Sequence, residues 1–133
     1  TVQIKAKADR IDLLADGTLR IIDYKLSRAP KQARALQLPI YGVIARQALE
    51  GRHGRSWTVA SAGYVAFKER EPFVPLGGRS AALEPAIADG QQRMLGAVDA
   101  IERGEFPVQP DEPYRCQWCG YAAVCRKDYV GDE

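Results

Sequence analysis

Apolar and polar positions alternate through the start of the chain and then change period. Val2 and Ile4, followed by Lys5 and Lys7, open an alternating run that predicts a strand over residues 2–14. Leu19 to Lys25 is apolar-rich and predicts a second strand, and Ala15-Asp16-Gly17-Thr18 between the two reads as a hairpin turn. Antiparallel pairing across that turn needs partner numbers summing to about 33, which sets Asp9 opposite about residue 24. Ser27-Arg28-Ala29-Pro30 breaks the second strand. Residues 31–50 then read as a helix with Ala33, Leu36, Ile40, Val43 or Ile44, and Leu49 as its apolar stripe. Pro39 inside it predicts a kink or a new first turn, and Gly51 and Gly54 end it. Trp57 to Lys68 predicts a third strand, and 69–79 a loop with Pro72, Pro75, Gly77 and Gly78. Ser80 is placed to cap a helix over about 81–103, whose buried stripe would be Leu83, Ile87, Met94, Val98 and Ile101. Gly104 closes it, and the chain from Pro107 to Pro113 is irregular.

The predicted order is strand, strand, helix, strand, helix, tail. A helix between the second and third strands permits a crossover, so an α/β (α+β) fold with a mixed central sheet flanked by helices is expected. The length of 133 residues sets one domain with a modest core. No apolar run approaches the roughly 18–20 residues that span a bilayer, and no signal-peptide pattern is present, so a cytoplasmic protein without a membrane partner is expected. The chain opens in mid-strand, which predicts that the protein extends further upstream.

Net charge is only +2, but residues 1–50 hold nine basic against five acidic side chains and the remainder ten against twelve. The basic half suits a polyanion; a mixed-charge solvated surface is the plainer reading. Three cysteines, Cys116, Cys119 and Cys125, lie within ten residues of one another. An odd, tight cluster makes a poor disulfide framework and points to a metal or cluster site in a reducing compartment. Zinc suits thiolates as well as iron does, and three incidental thiols is the remaining alternative.

The candidate chemistry lies in Ile21-Ile22-Asp23-Tyr24-Lys25. In a strand, Asp23 and Lys25 share one face and Tyr24 takes the other. Phosphodiester cleavage needs stabilised charge on the phosphate and an activated water, and a divalent metal on hard oxygen ligands supplies both. Asp9 and Asp23, with the Tyr24 carbonyl, are candidate ligands for Mg2+ or Mn2+, and Lys25 is the candidate group that positions the water. Taken alone, Asp-x-Lys also fits a surface ion pair. Asp12 falls on the opposite face from Asp9 and is expected to pair with a basic residue such as Arg10. His53 is expected to be an exposed loop residue.

Ala8-Asp9-Arg10-Ile11-Asp12, Gly17, Ile22-Asp23-Tyr24-Lys25 and Gln37-Leu38-Pro39-Ile40-Tyr41, in this order, resemble the PD-(D/E)xK nuclease superfamily, most of all the branch at the C-terminal ends of RecB and AddB helicase–nuclease subunits. The resemblance implies a restriction-endonuclease-like core. It implies Asp9 and Asp23 as metal ligands, Lys25 as the catalytic lysine, and Gln37 and Tyr41 as the helix pair that shapes the site. Those two lie four apart on one helix face.

Cys116-x2-Cys119-x5-Cys125, with Trp118 and Tyr121 beside it, resembles the three-cysteine end of AddB-type and CRISPR-associated members. In those proteins a fourth, upstream cysteine completes a 4Fe–4S cluster, so an incomplete cluster is implied here. The chain has Ala6 where the family usually has glycine. The family's first helix would precede Thr1, leaving a fragment without its N-terminal helix. The implied layout is a nuclease core over 1–109 and a cysteine segment over 110–133. The implied activity is magnesium-dependent (exo)deoxyribonuclease action on DNA in recombination and repair, beside a helicase-like region or subunit. Lys5, Lys7, Arg28, Lys31 and Arg34 are candidate phosphate-backbone contacts. A binding module that holds DNA or a protein without turnover, with a structural cysteine site, is the competing expectation.

Overall fold

A computed structural model describes residues 3–78, 83–107, 110 and 112–125. Strands β1 (Arg10–Leu13) and β2 (Thr18–Lys25) form the expected hairpin. Gly17 takes φ +82 at the turn, and Asp16 Oδ1 accepts hydrogen bonds from the Thr18 N–H at 3.0 Å and the Thr18 hydroxyl at 2.7 Å. An Asp side chain bonding the backbone two residues on is the chemistry that makes Asp-Gly a turn. The register pairs Arg10 with Ile22, one residue away from the expected sum. The first strand is also shorter than predicted: alternation begins at Val2, but pairing with β2 begins only at Arg10.

Helix α1 (Gln37–His53) starts later than the apolar stripe suggested. Pro39 sits in its first turn, where a missing N–H costs nothing, so the proline sets the start and produces no kink. Leu38, Tyr41, Ala45 and Leu49 form its buried stripe, and Gly54 closes it at φ 66 with its N–H on Glu50 O. His53 is the last residue of this helix rather than a loop residue, and it is exposed.

The chain crosses through α1 to β3 (Thr58–Ala66), which runs parallel to β2, and β4 (Phe73–Pro75) pairs antiparallel with β3. Sheet order is β1-β2-β3-β4, mixed as expected. β4 lies where a loop was predicted; a three-residue strand that follows Pro72 and ends on Pro75 gives no periodic signal. One face of the sheet meets α1. Leu19, Ile21, Val59, Ala62 and Tyr64 pack there with Leu38, Tyr41, Ala45 and Leu49. The mixed sheet with its flanking helices is a restriction-endonuclease-like arrangement.

Helix α2 (Leu83–Glu102) adds Ile87 to this core. The predicted cap Ser80 lies outside the described residues. The predicted stripe holds at Ile87 and fades beyond it, and Ile101 is 58% exposed. Gly90 is buried against the first turn of α1, where an added Cβ would stand 2.2 Å from Pro39 Cβ. A pyrrolidine ring cannot swing away, so Gly90→Ala is expected to force the helices apart and cost about 1–3 kcal/mol in denaturant unfolding. Gly96→Ala, with open space around it, is expected to be neutral or slightly stabilising by helix propensity.

The chain divides into two compact units, Thr1–Gly96 and Ala97–Glu133. The second holds the end of α2 and a short 3-10 helix, Pro113–Trp118. None of the described helices is long and apolar enough to cross a membrane.

Candidate active site

Among the described residues Asp23 is the one buried charged side chain, 1% exposed on the same face of β2 as Leu19 and Ile21. Odd positions of β2 face α1, so Leu19 and Ile21 fill the core and Asp23 and Lys25 continue the same line toward the strand end. Moving a lone carboxylate out of water is costly, so an ion needs a partner there. Lys25 Nζ provides one at 2.7 Å from Asp23 Oδ2. Apart from this ion pair, Asp23 Oδ2 is buried without a hydrogen-bond partner among the described residues.

The ammonium is held from further sides. Lys25 Nζ donates to Gln37 Oε1 at 2.9 Å, and Gln37 Nε2 donates to Tyr41 OH at 2.9 Å. The second bond fixes which end of the amide faces the lysine. Gln37 opens α1 and Tyr41 follows one turn later, so the first turn of the crossover helix is delivered against the end of β2. The Pro39 first turn thus places this pair as well as starting the helix.

Asp9 precedes β1. Its Oδ2 accepts the Tyr24 N–H at 2.9 Å, where a ladder carbonyl would stand had β1 continued. The carboxylate is thereby tied to the residue between Asp23 and Lys25. Asp12 is engaged elsewhere: Arg10 Nε lies 2.8 Å from its Oδ1 and Arg20 lies 2.6 Å from its Oδ2. Hydrogen bonds from Arg10, then from Arg20, hold its carboxyl below the ordinary range. Arg10 is therefore a partner of Asp12, as alternation implied, and Arg20 is a second. Arg28, Lys31 and Arg34 are all exposed on the 26–36 connection that leads from Lys25 to Gln37.

The donor set suits a hard divalent cation. Among the described residues no three His, Cys, Asp or Glu side chains gather as a ligand group. Magnesium does not require that: one or two carboxylates, with waters and phosphate oxygens, complete its octahedron. Asp23 Oδ2 is buried with the Lys25 ammonium as its one charged contact, and its second lone pair is available to a cation. Asp9 and the Tyr24 carbonyl are the other oxygens at this strand end. Cys116 and Cys125 are half-buried and Cys119 is exposed, and as described they do not form a ligand group.

No local sequence pattern marks a site residue in the third strand. The structure adds Tyr64, 1% exposed and directly opposite Asp23 in the parallel register. Burial, then the Asp23 charge, push its phenol up to about 12. Its signal was the register itself, which needs the parallel pairing to be known.

A family model described as the PD-(D/E)XK nuclease superfamily matches residues 1–126, whereas no curated protein and no solved structure matches. The match runs from before Asp9 through β1–β4, both helices and all three cysteines, and on that extent the chain belongs to the PD-(D/E)XK nuclease superfamily.

Proposed function

We propose that this domain is a metal-dependent DNA nuclease of a RecB/AddB-like recombination and repair helicase–nuclease, hydrolysing phosphodiester bonds from a DNA end. The observation that carries the reading is the Asp23–Lys25 pair: a buried carboxylate with an unfilled acceptor, facing an ammonium that Gln37 and Tyr41 hold in place. In this reading Asp9, Asp23 and the Tyr24 carbonyl would hold Mg2+ or Mn2+. Such an ion neutralises phosphate charge and makes bound water more acidic. Lys25 orients the attacking water and offsets charge that builds on the phosphate oxygens. Gln37 keeps Lys25 from swinging into solvent, and Tyr41 keeps Gln37 in the accepting orientation. Arg28, Lys31 and Arg34 contact backbone phosphates, which gives binding that weakens with salt and carries little sequence preference.

Residues 1–109 form the nuclease core in this proposal, and 110–133 carry Cys116, Cys119 and Cys125 as three of four ligands to a 4Fe–4S cluster. No step of the cleavage depends on that cluster. Iron and sulfide in near-equal amounts in anaerobically purified full-length protein are the expected result; zinc alone would refute the cluster.

The activity is tested with end-labelled single- and double-stranded DNA. Cleavage is expected with magnesium, none with chelator, and restoration on adding the metal back. Binding that persists in both conditions without any product would instead identify a binding module.

A further inference from the structure

We propose that Tyr64 is a positioning residue that holds the Lys25 ammonium at the active site through the face of its ring. The inference rests on the nuclease reading for its kinetic consequence, and on geometry alone for the contact. Lys25 Nζ stands 5.6 Å from the Tyr64 ring centroid, within the range in which an ammonium is attracted to an aromatic face. β3 runs parallel to β2 with Tyr64 beside Asp23, so both side chains leave the sheet on the face that α1 covers. The ring is buried and belongs to the core, so it cannot follow Lys25 if the lysine moves. The ammonium therefore has three holders: the Asp23 carboxylate at 2.7 Å, the Gln37 amide oxygen at 2.9 Å and the Tyr64 face.

These holders differ in one respect. The carboxylate is the group a divalent cation would also claim, and two cations at one carboxylate repel each other. An aromatic face and an amide oxygen already bound to Lys25 remain with the lysine. Tyr64 thus acts when the Asp23–Lys25 pair is weakened, and keeps the ammonium beside the metal-binding carboxylate rather than in solvent. The hydroxyl is not the working part: it is buried, and the ammonium stands over the ring.

The test has a spectroscopic and a kinetic arm. In metal-free protein, the ring current of Tyr64 is expected to move the Lys25 Cε proton resonances upfield. Tyr64→Phe keeps that shift, and Tyr64→Leu removes it. Because Tyr64→Leu also empties core volume, a form carrying trifluorinated phenylalanine at position 64 keeps the shape while draining the π face. With magnesium and labelled DNA, the trifluoro form is expected to lose about threefold to tenfold in kcat relative to Tyr64→Phe, at unchanged KM. Unshifted Lys25 resonances in the wild-type protein overturn the proposal, as does equal kcat in the Tyr64→Phe and trifluoro forms. A defect in Tyr64→Phe as large as in the trifluoro form assigns the role to the hydroxyl and also overturns it. If no form cleaves DNA, the nuclease reading fails, and the resonance shifts still decide whether Tyr64 holds Lys25.

Discussion

Asp23→Asn is expected to lower DNA cleavage by about a thousandfold, roughly 4 kcal/mol in the transition state. The substitution keeps size and shape in a site that is 1% exposed, so the fold should survive. What it removes is the negative charge. An amide is a poor ligand for a hard cation, and its nitrogen would point a donor toward either the metal or the Lys25 ammonium. Lys25 stays near its place through Gln37 and Tyr64, so the loss reads the carboxylate rather than a displaced lysine. Single-turnover cleavage at saturating magnesium is the measurement. Asp12→Asn is the matched control, because Asp12 sits in an arginine pair away from Lys25; it should change the rate less than about twofold. Equal effects from the two substitutions would remove Asp23 from the mechanism.

Lys25→Met has its largest expected effect on stability, measured in chelator. Removing the ammonium leaves Asp23 as a buried carboxylate with no charge partner among the described contacts. Stranding one member of a fully buried pair costs about 3–5 kcal/mol. The Lys25 side chain is 26% exposed, so water can partly replace it and a loss of about 2–3 kcal/mol is expected. The double variant Lys25→Met with Asp23→Asn should recover most of that loss, because the stranded charge is then gone. Urea unfolding of the four proteins reads the coupling. A Lys25→Met protein as stable as wild type would mean that Asp23 is not isolated from water. Neither outcome depends on whether the domain cuts DNA.

How far the sequence carried differs from element to element. The hairpin and the alternation of β2 were legible because Asp16-Gly17 and the Ile-Ile-Asp-Tyr-Lys run encode them locally. The one-residue error in register came from placing the turn by composition, which fixes where a hairpin turns only to within a residue or so. β1 was overextended because Val2 and Ile4 alternate like a strand, while pairing depends on a partner that β2 supplies only from Leu19 to Ile22. Pro39 left two readings open. Where α1 starts decides between them, and the ring's contact with Gly90 comes from a helix more than forty residues on. β4 carries no local signal, and its three residues are strand only because β3 offers an open edge. At the site, residue order points to Asp9, Asp23, Lys25, Gln37 and Tyr41; Asp23, Lys25, Gln37 and Tyr41 form one chain of contacts, and Asp9 is bound to the Tyr24 N–H beside it. Tyr64 could not be named that way, since its place beside Asp23 follows from a crossover that no local pattern specifies.

The parallel pairing of β2 with β3 has a consequence for when the site comes into being. The β1–β2 hairpin closes a short loop and can form early with Asp23 still hydrated. Docking β3 requires the chain from Leu26 to Trp57 to be gathered first, α1 included, and that closure is slower. Asp23 loses its water only then, as Tyr64 arrives on the incoming strand and Gln37 on the helix between. Burial of the carboxylate and completion of the core are therefore one cooperative event. The Asp23 and Val65 amides should exchange with solvent only through global unfolding, while β4 opens more readily. A chain caught part-way through folding carries Asp23, Lys25, Gln37 and Tyr64, but does not yet have them assembled.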